Sequence, residues 1–144
     1  MLVSEILRIK GNALYTTPPD APVLMAVKVM AQHDIGSLVV MDHGRMAGIV
    51  TFAEVLRAIA DREGTVGPLQ ISEITDRSPL TATPSIDVWE LRRIMLERHA
   101  RYVPVMEGTT LLGVVSFHDV AKAMLEEQGR ENEMLKHYIQ DAPA

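Results

Sequence analysis

The amino-acid sequence predicts an α/β (α+β) fold built from two β-α-β-β-α repeats that pack with pseudo-two-fold symmetry. The first observation is an internal repeat, in which GIVTFAEVLRAI at 48–59 returns as GVVSFHDVAKAM at 113–124. Without a gap, 16–59 aligns with 81–124, and eleven of these 44 pairs are identical, where chance gives roughly three. The second observation is that, in both copies, short apolar runs typical of strands alternate with segments whose apolar residues recur at helical spacing. Function is therefore expected where the two copies meet.

The first copy shows the pattern element by element. Pro18 and Pro19 end a strand predicted around 13–16, and Asp20 is expected to cap a helix that runs to about His33. The continuous apolar run 37–41 and the run 46–50 predict two strands, joined by a turn at 42–44. Thr51 then starts a helix that ends near Asp61.

The second copy predicts the same elements in the same order. They are a strand near 79–82, a helix at 86–98 capped by Ser85, strands at 102–106 and 111–115, and a helix at 117–127.

Segments outside the repeats are predicted to be helical. A short helix is expected at 2–10, another at 71–75, and a charged extension at 126–140 with the apolar stripe Met134, Leu135, Tyr138 and Ile139, which suggests an interface. The predicted division is an N-terminal helix at 1–11, first repeat at 12–62, linker at 63–78, second repeat at 79–127 and tail at 128–144.

Composition limits the classes of function. The 144 residues are 47% hydrophobic, enough for the two halves to share one core, and each half alone would be marginal. The absence of cysteine excludes disulfides, thiolate catalysis and Cys-ligated zinc. A net charge of −5 and 4% aromatic residues argue against a nucleic-acid partner. No signal peptide or membrane span is recognised, so a soluble cytoplasmic protein without membrane contact is expected.

No catalytic constellation is present, so an enzyme is not expected. The five histidines lack metal-ligand spacing, and no phosphate-binding glycine loop or G-x-S-x-G motif occurs. The repeated motif G-[IV]-V-[TS]-F-x-[ED] places Thr51 before Glu54 and Ser116 before Asp119. Both pairs suit helix capping boxes. They also suit a nucleotide site, where the carboxylate accepts hydrogen bonds from ribose hydroxyls.

The tandem repeat resembles a family of known fold. The segments are Leu80-Thr81-x-x-Pro84, Arg101-Tyr102-Val103-Pro104-Val105 and Gly113-Val114-Val115-Ser116-x-x-Asp119, with weaker counterparts in the first copy. Together they resemble the CBS domain, and two copies resemble a CBS pair, or Bateman module, of the small stand-alone bacterial kind. The resemblance covers 12–127.

This resemblance implies a ligand sensor without a catalytic cofactor that binds an adenosine-containing nucleotide, AMP, ATP or NAD(H), between the copies. Carried onto this chain, one composite site, which we name the Asp119 cleft, comprises Thr16, Ser37, Leu38, Val39, Ser116 and Asp119. The other site, the Glu54 cleft, comprises Thr51, Glu54, Thr81, Arg101, Tyr102 and Pro104. The Gly36-Ser37 wall of the Asp119 cleft has no basic residue for phosphate, whereas Arg101 can serve the Glu54 cleft. The two clefts are therefore expected to bind unequally.

A homodimer and an unidentified regulated protein are the expected macromolecular partners. The helices after Phe52 and Phe117 are expected to form much of the dimer interface, through Val55, Leu56, Ile59, Val120 and Met124. The alternative is a structural dimerisation module whose clefts are vestigial, in which Thr51/Glu54 and Ser116/Asp119 only cap helices.

Overall fold

The structure, a computed structural model, describes residues 1–11 and 14–141. The helices are α1 (Val3–Lys10), α2 (Val23–His33), α3 (Phe52–Asp61), α4 (Val88–Arg98) and α5 (Phe117–Asp141). The strands are β1 (Thr16–Thr17), β2 (Ser37–Asp42), β3 (Arg45–Thr51), β4 (Tyr102–Glu107) and β5 (Thr110–Ser116), and a 3-10 helix spans Ile71–Glu73. The predicted mixed fold of two related halves is confirmed.

Each half contains a hairpin, and the two hairpins have equivalent registers. In the first sheet, ordered β1-β2-β3, Val40 pairs with Gly48, and in the second sheet Val105 pairs with Gly113. Val105 and Gly113 are the residues that the sequence repeat aligns with Val40 and Gly48. The alignment of the two copies therefore holds for the backbone as well as for the sequence.

The two sheets differ at their first strand. β1 is parallel to β2, held by the Val39 N–H donating to the Tyr15 carbonyl at 3.2 Å. The strand predicted near 79–82 is reduced to a single parallel bridge between Ala82 and Val105. The reason lies at Pro104, which occupies the position of Val39 in the repeat and has no N–H to donate. Part of the strand predicted at 13–16 falls on Ala13, outside the described residues.

The predicted N-caps of α2 and α4 are wrong. Pro22, not Asp20, is the N-cap of α2, and Asp87, not Ser85, is the N-cap of α4. The Asp87 carboxylate accepts a hydrogen bond from the Trp89 N–H at 3.0 Å. Both helices start late because the residues before them are extended and paired with a distant segment.

That pairing joins each half to the segment that precedes the other half. The Val3 N–H at the start of α1 donates to the Ile86 carbonyl at 3.0 Å, and the Ile71 N–H donates to the Ala21 carbonyl at 2.9 Å. Val3 belongs to the core of the second half, and Ile71 belongs to the core of the first half. Each core is thus completed by a segment that precedes the other half. We call these two segments, α1 and 71–74, the exchanged segments.

The exchanged segments are themselves a repeat that the ungapped alignment missed. VSEI at 3–6 corresponds to ISEI at 71–74, at a slightly longer spacing than that of the main repeat. The Glu5 carboxylate accepts from the Leu2 N–H at 2.7 Å, and the Glu73 carboxylate accepts from the Gln70 N–H at 2.8 Å. The second segment forms a 3-10 helix of only three residues because Asp76 pairs with Ile49 soon afterwards.

The expected dimer face is only partly exposed. Val55, Val120 and Met124 are buried in the cores of their own halves, contrary to the prediction, whereas Leu56 is 64% and Ile59 38% exposed. The predicted extension after the second copy continues α5 as one helix, and its residues 128–139 are all exposed. Within the described residues, no helix is long and apolar enough to cross a membrane.

Candidate functional site

A single open cleft of about 1430 Å³ lies between the two halves. Equivalent segments line it from both sides: residues 34–37 face residues 99–102, and the start of α3 at 51–54 faces the start of α5 at 116–118. The two predicted clefts are therefore regions of one continuous space. Both copies contribute strand ends and helix starts to it.

The structure distributes the residues of the Asp119 cleft over several environments. Ser37 and Ser116 line the open space, whereas Asp119, in the first turn of α5, is hydrogen-bonded to Ser116 but does not itself line that space. Leu38 and Val39 are 1% and 0% exposed and do not line the cleft, so the structure does not place them in contact with a ligand. Thr16 lies instead at a smaller hollow of about 410 Å³ with His43 and Arg45.

The Glu54 cleft is assembled more completely. Thr51, Glu54, Arg101 and Tyr102 all line the open space. Pro104 is buried, and Thr81 is exposed but does not line the cleft.

Tyr102 lines the cleft and contacts the opposite half at Gly36. A Cβ placed at Gly36 would overlap the Tyr102 hydroxyl and would lie 2.8 Å from Cε2 of Phe52. A side chain at position 36 would therefore require the rings of Tyr102 and Phe52 to move, so glycine allows the present close approach of Tyr102.

Asp119 is held by its own helix and by α1. Its Oδ2 accepts from the Ser116 N–H at 2.9 Å and from Lys10 Nζ at 2.7 Å, while the Asp119 N–H donates to Ser116 Oγ at 3.1 Å. Burial opposes the charge of the carboxylate, but the hydrogen bonds from Lys10 and Ser116 outweigh it and lower the pKa of Asp119. Oδ1 accepts no hydrogen bond within the described residues, and the side chain is 20% exposed.

Lys10 is a cleft residue that the sequence reasoning missed. Besides binding Asp119, its Nζ donates to the Val114 carbonyl at 2.9 Å. The equivalent carbonyl in the first half, that of Ile49, accepts instead from the Asp76 N–H at 2.9 Å. The Ile49 carbonyl of the first half is thus bonded by a backbone N–H, whereas the equivalent Val114 carbonyl of the second half is bonded by the Lys10 side chain. No local pattern reveals this, although the match of VSEI with ISEI would have placed α1 on the second half.

Glu54 is satisfied by its own helix cap. Its Oε1 accepts from the Thr51 N–H at 3.3 Å and its Oε2 from Thr51 Oγ1 at 3.0 Å, and Arg57 Nη2 is 3.9 Å from Oε2. Both carboxylate oxygens therefore have partners within the first half. Both pairs form capping boxes, but capping occupies both oxygens of Glu54 and only Oδ2 of Asp119.

The fold and cleft define a tandem-repeat protein with a composite cleft between its halves. The family model described as CBS domain matches residues 3–61 and 71–126, and the chain belongs to this family. Both matches begin at the exchanged segments.

Known proteins of the family resemble the chain over most of its length. It is 32% identical to the mitochondrial CBS domain-containing protein CBSX3 of Arabidopsis thaliana, over 96% of this chain and 71% of that protein. A CBS-domain protein of Agrobacterium tumefaciens, 29% identical, has a similar structure with a TM-score of 0.82 that covers 86% of this chain and 99% of the other.

A second similar structure contains ligands. It is the CBS domain pair of protein MJ0100 in complex with 5′-methylthioadenosine and S-adenosyl-L-methionine, which is 25% identical. Its TM-score is 0.77, and the match covers 88% of this chain and 98% of that one.

Proposed function

We propose that this chain is a non-catalytic regulatory module that binds an adenosine-containing nucleotide, such as AMP, ATP or NAD(H), in the cleft between its two CBS repeats. The observation that carries the proposal is the state of Asp119. Its carboxylate is charged, fixed through Oδ2 and without a donor at Oδ1 among the described residues, and it is bonded to Ser116, which lines the cleft between the halves. The adenosine-containing ligands bound by a similar CBS pair support the same chemistry.

The Asp119 cleft is the better ribose site of the two. A ribose diol donates two hydrogen bonds, and a fixed carboxylate with an open oxygen accepts them without first losing a partner. Both oxygens of Glu54 already accept hydrogen bonds from Thr51, so fewer of its lone pairs remain for a diol. We therefore assign ribose binding to Asp119, with Ser116 and Ser37 as its polar neighbours.

The signal follows from the composite nature of the site. A ligand that contacts both halves favours one relative arrangement of them, and only such differential binding shifts an equilibrium. α1 is the element positioned to respond, because it packs on the second half and its Lys10 contacts Asp119.

Thermal unfolding with AMP, ATP, NADH, S-adenosyl-L-methionine and 5′-methylthioadenosine tests the proposal. A ligand that binds the native state raises the unfolding temperature, and the shift grows with the logarithm of the ligand concentration above Kd. Asp119→Ala should abolish the shift while costing about 0.5–2 kcal/mol of stability, the value of a helix cap. Glu54→Ala is the matched control, since it removes the equivalent carboxylate and should keep most of the shift. If millimolar concentrations of every ligand leave the wild-type transition unchanged, the sensor function is wrong and a structural dimerisation module remains.

We also propose that the chain forms a homodimer through α3. Its side chains Phe52, Leu56 and Ile59 are 51%, 64% and 38% exposed, at sequence spacings that place them on one helix face. A second copy would remove this apolar stripe from water, and two-fold dimers use the same patch on both subunits. The exposed stripe of Met134, Leu135, Tyr138 and Ile139 on α5 offers a further contact.

A further inference from the structure

We propose that Lys10 is the residue by which the Asp119 cleft selects phosphorylated nucleosides over unphosphorylated ones; the inference rests on the proposed function. The cleft wall at Gly36 and Ser37 carries no positive charge of its own. Lys10 supplies one from α1, from a distant part of the sequence. Its ammonium is both bonded to the proposed ribose carboxylate and part of the cleft lining.

The hydrogen-bonding capacity of the ammonium leaves room for a phosphate oxygen. An ammonium has three N–H donors. Two donate to Asp119 Oδ2 and the Val114 carbonyl, at 2.7 and 2.9 Å, and the third has no partner among the described residues. The side chain is 37% exposed, so this donor is accessible from the cleft. For a ribose bound at Oδ1, the proposal requires the 5′-phosphate, on the other side of the sugar ring from the diol, to lie on the Lys10 side of the cleft.

The position of Lys10 is set before any ligand arrives. α1 is anchored by Val3 and Ile6, which are 0% and 5% exposed, and by Leu7, which packs on Gly113. The charge is therefore presented by a packed helix rather than by a free side chain on a loop. Pre-organisation of this kind makes a single charge effective in binding.

The segment that corresponds to α1, at 71–78, has no lysine at the position of Lys10. In the register that aligns VSEI with ISEI, Lys10 corresponds to Ser78, which also lines the cleft. The Ser78 N–H donates to Asp76 Oδ1 at 3.0 Å, so this segment ends in a turn with a carboxylate. We therefore expect Lys10 to give the Asp119 cleft its selectivity for phosphate. Ser78 carries no charge and cannot do the same on the other side.

Calorimetric titration of AMP and adenosine into wild-type protein and Lys10→Met tests the proposal. The substitution removes the charge and keeps an unbranched stem. The expected result is AMP binding weakened about tenfold or more, the usual effect of losing a charge-assisted hydrogen bond, with adenosine changed less than threefold. Lys10→Arg should retain the preference for AMP. Lys28→Met, on the exposed surface of α2, is the matched control and should change neither ligand.

The remaining outcomes overturn the proposal. Equal weakening of AMP and adenosine would mean that Lys10 only positions Asp119. Loss of the AMP preference in Arg101→Met, but not in Lys10→Met, would assign the phosphate to Arg101. If wild-type protein binds neither ligand, the proposed function fails as well, whereas binding of both with no effect of Lys10→Met contradicts this inference alone. If Lys10→Met does not fold, the salt dependence of wild-type binding is the test. An affinity for AMP that is no more sensitive to added salt than the affinity for adenosine contradicts the inference.

Discussion

The Asp119 side chain caps α5, binds Lys10 of α1 and accepts a hydrogen bond from Ser116, which lines the cleft. The sequence was sufficient to predict its helix cap and its pairing with Ser116, because a capping box is a local pattern. Its contact with Lys10 could not be predicted in this way, because it depends on where α1 docks. Two carboxylates that look alike in the repeat, Asp119 and Glu54, therefore differ in their available oxygens only once the fold is known.

The lowered pKa of Asp119 predicts how its contribution to stability depends on pH. A carboxylate whose pKa falls below its ordinary value of 3.8 on folding stabilises the protein above that value, and the contribution is lost as pH falls through the folded-state pKa. The difference in unfolding free energy between wild type and Asp119→Asn should stay constant at neutral pH and shrink below about pH 4. Urea denaturation of both proteins across the neutral to acidic range measures it. A difference that grows on acidification contradicts the assignment.

At the scale of elements, the sequence predicted the hairpins better than the helix starts. β2, β3, β4 and β5 arise from continuous apolar runs, and their registers follow from the repeat. The predicted starts of α2 and α4 were wrong because distant segments pair with the residues before these helices and hold those residues extended. The effect of Pro104 on the second sheet was visible in the sequence, since a residue without an N–H cannot continue a ladder.

The exchange of segments predicts unequal roles for two isoleucines on one helix. Ile6 of α1 is 5% exposed in the core of the second half, whereas Ile9 is 71% exposed. Ile6→Ala should lower the unfolding free energy by about 2–5 kcal/mol, because it opens a cavity. Ile9→Ala should change it by no more than about 0.5 kcal/mol. Chemical denaturation of both variants measures this, and equal effects would mean that α1 does not complete that core.

For the whole molecule, the remaining question is how its exposed apolar surface is covered. Val55, Val120 and Met124, expected in an interface, are part of the chain's own cores. Periodicity alone cannot distinguish a face buried within the chain from one buried by a second copy, because both require apolar residues at helical spacing. The exposed residues of α3 are those that the intramolecular packing leaves uncovered.

The proposed dimer predicts that one charge on α3 is sufficient to dissociate it. Leu56→Glu places a carboxylate in the centre of the apolar stripe, where a second copy would have to desolvate it twice, once from each subunit. Sedimentation velocity should show wild type at twice the chain mass of 15.9 kDa and the variant at the chain mass itself. Leu24→Glu on α2 is the matched control: Leu24 is 45% exposed but lies outside the stripe, so this variant should remain dimeric. Wild type that sediments as a monomer, or a Leu56→Glu protein that remains dimeric, would show that α3 is not the interface.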